Sequence, residues 1–134
     1  MVEIDSETRV AGQIWPEQMD ALKASGVAMI VNNRPDHEEP GQPPSAEVEA
    51  AARAAGLDYR HIPVRGLSEQ QIEAMEEALD AAQGPVLAFC KSGTRSIFLW
   101  ALARSRKGDD GEELMRKAVA AGYDLTPIAP HLQR

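Results

Sequence analysis

The residues whose types and spacing could do chemistry lie in one short stretch, Cys90-Lys91-Ser92-Gly93-Thr94-Arg95-Ser96. A cysteine becomes a strong nucleophile once ionised, and positive charge and backbone N–H groups around the sulfur favour that form. Gly93 lets the chain curl so that the backbone from Lys91 through Ser92 and Thr94 turns its N–H groups inward, a nest for anions at the start of a helix. Arg95 offers a planar fork to two oxygens of a phosphate or sulfonate, a geometry that lysine cannot match. Lys91 adds positive charge, and the Ser96 hydroxyl is in line to hydrogen-bond the sulfur and help it leave as thiolate. Taken singly, Cys90 could be a small buried hydrophobe and Arg95 a surface cation. Together, Cys-x-x-Gly-x-Arg-Ser between an apolar strand and a helix is a far more specific pattern.

That pattern needs a strand before it and a helix after it. Pro85-Val86-Leu87-Ala88-Phe89 is a continuous apolar run, as is Val27-Ala28-Met29-Ile30-Val31, and such runs suit strands buried on both faces of a parallel sheet. Helices are expected over residues 16–25, 45–55 and 68–82, the first two followed directly by glycine and the third by Gln83-Gly84. The third opens with a capping box, Ser68 with Gln71, and carries Ile72, Met75, Leu79 and Ala82 at helical spacing. Residues 57–64 read as a strand ending at Pro63 or Gly66, and residues 8–14 as a weaker edge strand. After Cys90, helices are expected over 94–106 and 112–121, with a charged break at 107–111 and an irregular tail over 122–134. Strand and helix alternation implies one three-layer α/β domain with a mostly parallel central sheet and flanking helices. Such sheets place ligands at the carboxyl ends of their strands, where Cys90 falls. The loop over residues 32–44 is long for a compact domain, and long loops there are often functional.

Composition narrows the partners. A chain of 134 residues can bury a core without disulfides, and its net charge of −7 opposes nucleic acid and anionic membrane over most of the surface. Attraction for an anion must therefore be local. The amino-terminal residues lack the pattern of a signal peptide and the longest apolar run is too short to span a bilayer, so a cytoplasmic protein is expected. A lone cysteine forms no internal disulfide and does not suit a thiolate zinc site. The inferred chemistry requires no metal and no organic cofactor.

At these residues the chain resembles the bacterial beta-lactamase-hydrolase-like family, in its phosphatase-like domain, also described as a sulfurtransferase. The resemblance rests on Ile30 to Asp36, Glu39 to Pro43, Val86 to Ser96, and Ala121-Gly122-Tyr123-Asp124. It implies a fold like that of dual-specificity cysteine phosphatases. In some relatives of this family the domain is fused to a metallo-beta-lactamase-like persulfide dioxygenase, which this sequence does not contain. A persulfide-handling enzyme is a candidate partner should the domain act as a silent module that binds an anion in its cradle.

Two chemistries can run on one thiolate. Phosphate ester hydrolysis proceeds through a phosphocysteine and needs a general acid to protonate the leaving oxygen. Transfer of a sulfane sulfur, from thiosulfate or another persulfide donor to a thiol, proceeds through a cysteine persulfide and releases a group that needs no strong acid. Four residues separate Cys90 from Arg95, one fewer than in the phosphatase pattern, and Phe89 stands where phosphatases carry histidine. The stretch after the 57–64 strand, where the phosphatase acid usually lies, holds Arg65 and Gly66. Sulfurtransfer is therefore favoured, with phosphatase activity as the alternative and a non-catalytic anion-binding or redox-sensing module as a third reading. Asp36 could replace the missing acid and Arg34 could add an anion contact, although Asn32-Asn33-Arg34-Pro35-Asp36 is also rich in turn formers. His37, His61 and His131 lack visible partners and are assigned structural or solvated roles, and Phe98 and Trp100 are assigned to the core.

Overall fold

The computed structural model describes residues 1–132. Its strands are β1 (Val2–Glu3), β2 (Thr8–Ala11), β3 (Met29–Asn32), β4 (Asp58–His61) and β5 (Val86–Phe89). Its α-helices are α1 (Met19–Ala24), α2 (Ser45–Ala54), α3 (Glu69–Ala81), α4 (Thr94–Arg106) and α5 (Gly111–Ala120). The five strands form one sheet in the order β1-β2-β5-β3-β4, parallel throughout except for β1.

The continuous apolar runs are explained by burial on both faces. Side chains along a strand alternate between faces, and here that alternation sorts the residues into two cores. Val10, Met29, Val31, Val86 and Ala88 face α3, α4 and α5, whereas Ala11, Ile30, Leu87 and Phe89 face α1 and α2. The expected three-layer α/β architecture is thus the observed one. Within it α4 is itself buried, with Ile97, Leu99, Trp100, Ala101 and Ala103 fully enclosed. Phe98 packs against the same core.

Local chemistry sets the element ends. Gln71 accepts a hydrogen bond from the Ser68 N–H at 2.9 Å, which closes the expected capping box at the start of α3. The Asp110 carboxylate accepts from Glu113 N–H at 3.2 Å and caps α5, which starts at Gly111, the last residue of the charged break. The ladder of β4 ends at His61. Pro63 has no N–H to give, yet the chain still runs beside β3, with Ile62 N–H on Asn32 O and Val64 N–H on Asn33 O, each at 2.9 Å.

Three expectations change. The strand over residues 8–14 is not an edge: β2 lies between β5 and β1 and buries Thr8, Val10 and Ala11. A two-residue edge strand such as β1 is too short to leave a periodic signal in the sequence. The helix expected from residue 16 begins as a 3-10 turn, Pro16–Gln18, before α1. The tail is more regular than expected, with a 3-10 helix over Thr126–His131 that buries Ile128, while its last residues, 133 and 134, lie outside those described. Among the described residues no helix is long and apolar enough to cross a membrane.

Ala11, Phe89, Asn32 and His61 stand in one row across four parallel strands. Each strand delivers its next residues to the same edge, which gathers the loops starting at Gly12, Cys90, Asn33 and Ile62.

Candidate active site

Cys90 is fully buried at the end of β5, and the Gly93 N–H donates to its sulfur over 3.1 Å. Gly93 caps α4 with φ of 92°, in the left-handed region where a side chain is strained. The carbonyls of the loop point outward and find donors there. Gln13 N–H reaches Lys91 O at 3.4 Å, and the Tyr123 hydroxyl donates to Ser92 O at 3.0 Å. The contact with the β2 side needs Gly12, because a Cβ at that position would stand 2.9 Å from Lys91 O. Ser92 Oγ bonds Thr94 Oγ1 at 3.1 Å, which ties the loop to the first residue of α4.

Arg95 leans over this loop and is held from two sides. Its Nη1 donates to Val64 O at 3.0 Å and to Glu38 Oε2 at 2.6 Å, and its Nη2 donates to Glu38 Oε1 at 3.0 Å. Glu38 also accepts from Arg34 Nε at 2.8 Å, so one carboxylate bridges two guanidinium groups. Arg34 is only 2% exposed, with Nη1 on Gln13 Oε1 at 2.8 Å and Nη2 3.0 Å from Glu39 Oε1 without hydrogen-bond alignment. Lys91 is largely exposed, and its ammonium lies 3.2 Å from Glu39. The loop over residues 32–44 thus brings two carboxylates to three cations at the rim.

Charges follow these contacts. Hydrogen bonding from Arg95 above all, helped by Arg34, pulls the Glu38 carboxyl down to about 2 against its burial. Glu38 is therefore an ionised acceptor at neutral pH and not a proton donor. Arg95 is raised from its ordinary value, first by Glu38 and also by the adjacent Cys90. Burial raises Tyr123, and the charge of Cys90 adds to that.

The remaining candidates are placed as follows. The Ser96 hydroxyl donates to Asn33 Oδ1 at 2.8 Å, so its proton is directed at that amide rather than at the sulfur. Asp36 accepts the Ser45 N–H at 2.8 Å at the start of α2, the turn-and-cap role open to it from sequence. His61 Nε2 lies 3.0 Å from Arg34 O, His37 adopts φ of 66° within the loop, and His131 belongs to the terminal 3-10 helix. Arg65 and Gly66 are exposed after β4.

Sequence reasoning missed Glu38 and Asn33. Asn33 is completely buried, takes the Ser96 proton, and donates its Nδ2 to Ile62 O at 3.0 Å. Its backbone N–H meets Phe89 O at 2.8 Å. One side chain and its backbone therefore join β5, the segment after β4, and α4. Asn-Asn reads as a turn signal in sequence, and nothing local marks the second as buried.

A parallel sheet that ends in a cysteine loop at a helix amino terminus, with an arginine in the first turn, defines a cysteine-phosphatase-like domain. Residues 2–107 match the family described as "Beta-lactamase hydrolase-like protein, phosphatase-like domain", and the chain belongs to that family. It is 42% identical to the beta-lactamase hydrolase-like protein of Agrobacterium fabrum, over 99% of this chain but 32% of that protein. The chain thus spans about a third of the length of that relative. A crystal structure of a presumptive phosphatase from Neisseria meningitidis superposes with a TM-score of 0.82 at 30% identity, covering 96% of this chain and 93% of that one. Tk-PTP in its active form shares the fold, with a TM-score of 0.73 at 18% identity over 96% of this chain and 89% of its own.

Two variants test this geometry. Asn33→Ala leaves the Ser96 hydroxyl and the Ile62 carbonyl without their buried partner, and urea unfolding should show a loss of about 2–4 kcal/mol. A loss under about 0.5 kcal/mol, the level of an ordinary surface substitution, would deny the role given to Asn33. For Glu38 the folded value lies below the ordinary 4.5, so its stabilisation is complete above that pH and disappears as pH falls through about 2. Glu38→Gln should therefore melt below wild type at pH 7, and the gap between their melting temperatures should narrow steadily as the pH is lowered from 4.5 towards 2.

Proposed function

We propose that this domain transfers a sulfane sulfur through a persulfide on Cys90. The observation that carries the reading is the state of Glu38, the carboxylate on Arg95, which its two arginines keep ionised. Beside a buried sulfur held by a backbone N–H, the rim offers cations and anionic carboxylates. That combination binds an oxyanion but supplies no proton to a departing alkoxide. Sulfite and thiolates are stable anions in water and leave without one.

In the first step the Cys90 thiolate attacks the sulfane sulfur of a donor such as thiosulfate. The sulfur–sulfur bond breaks, and its electron pair departs with sulfite. In the second step an acceptor thiolate attacks the outer sulfur of the Cys90 persulfide, takes that sulfur, and returns Cys90 as thiolate. Arg95 binds the donor's oxygens, with Lys91 and Arg34 adding charge, and the N–H groups from Lys91 to Thr94 line the cradle. Ser96, through Asn33, positions the start of α4.

Hydrolysis of phosphate monoesters through a phosphocysteine is the second reading. It is favoured by the description of the family and by the 30% identical Neisseria structure. It requires a proton donor, and Asp36 would have to leave Ser45 N–H to become one.

Intact mass after incubation with thiosulfate separates the two. Wild type should gain one sulfur atom and Cys90→Ser none, while phosphate release from a small aryl phosphate stays at background. Arg95→Lys should slow sulfur loading by about a hundredfold, the scale for losing one preorganised oxyanion donor. Phosphate release that depends on Cys90, with no sulfur adduct, would replace this reading with the phosphatase one. Asp36→Asn would then be expected to abolish it.

A further inference from the structure

We infer that Tyr123 is a positioning residue for Cys90, acting through the Ser92–Gly93 peptide; this rests on the reading of Cys90 as the reacting atom. A trans peptide is planar, and its C=O and N–H point in opposite directions. In the Ser92–Gly93 unit both ends are occupied: the Tyr123 hydroxyl donates to Ser92 O at 3.0 Å, and Gly93 N–H donates to Cys90 Sγ at 3.1 Å. A grip on the oxygen therefore aims the hydrogen at the sulfur. Tyr123 sits behind the cradle and sets the direction of a bond in front of it.

The surroundings of Tyr123 suit that task. The turn after α5 passes through Gly122 at φ of 92°, and Tyr123 N–H returns to Ala118 O at 2.8 Å, so the end of the helix anchors its backbone. The ring reaches the loop so closely that a Cβ on Gly93 would stand 2.2 Å from the hydroxyl oxygen. Gly93 is needed for that approach and for its own positive φ, but glycine also leaves the peptide free to rotate. Rotation by half a turn would present Ser92 O to the sulfur, and a carbonyl dipole in that orientation repels a thiolate. Within the loop the Gly93 N–H bond to the sulfur opposes this, while Ser92 Oγ is engaged with Thr94. The Tyr123 hydroxyl holds the peptide from its oxygen side.

The test is alkylation of Cys90, followed by intact mass, as a function of pH. The charged and titratable groups around the sulfur are Arg95 and Tyr123, with Glu38, Glu39, Arg34 and Lys91 grouped at the rim. All but Tyr123 are retained in Tyr123→Phe, which keeps the ring and removes the donor. Losing one hydrogen bond to the peptide should raise the midpoint of alkylation by about one pH unit and slow the reaction at pH 7 about tenfold. Asp110→Ala, which uncaps the same helix away from the loop, is the control for general loosening: it should lower Tm and leave the midpoint in place. An unchanged midpoint in Tyr123→Phe overturns the inference, and so does an equal rise in Asp110→Ala. If wild-type Cys90 itself alkylates only where a free thiol does, the nucleophile reading has failed, and the positioning role falls with it.

Discussion

A loop that turns its N–H groups towards an anion presents its carbonyls on the other side, where they too need donors if the loop is to hold one shape. The segment after Cys90 meets that constraint with donors from two distant parts of the chain. The β2 end supplies Gln13 N–H to Lys91 O, and the turn after α5 supplies the Tyr123 hydroxyl to Ser92 O. Close approach on both sides explains two glycines that share no motif. Gly12 makes room for the Lys91 carbonyl, and Gly93 makes room for Tyr123.

Charge is handled in a similarly local way. The chain carries a net charge of −7, yet Arg34, Lys91 and Arg95 converge at one edge of the sheet. Left alone they would repel one another, and the buried Arg34 would suffer most from loss of water. Glu38 and Glu39 relieve this by bridging the three cations from a single loop. The bridge fixes the direction of both arginine side chains. The same bridge keeps Glu38 ionised.

The three-layer architecture was legible because it rests on signals that are local or periodic. The apolar runs at β3 and β5, the capping box before α3 and the glycine-arginine spacing after Cys90 each need only a few neighbouring residues to be read. The position of β2 was not, because an interior strand and an edge strand of four residues look alike until the pairing is known. Ser96 was placed beside the sulfur by its sequence neighbourhood, but its hydroxyl is directed at Asn33, 63 residues away in the chain.

By itself the sequence determined the class of fold, the loop that follows β5, and the cysteine and arginine within that loop, because strand burial, helix capping and φ preference are short-range properties. Only the tertiary structure decided which carboxylate meets Arg95, which amide takes the Ser96 proton, and which hydroxyl turns the Ser92–Gly93 peptide. Glu38 and Arg95 are 57 residues apart, and Tyr123 and Ser92 are 31 apart. Partners at such separations are chosen by the approach of packed elements, and no periodicity or propensity in the chain encodes that approach.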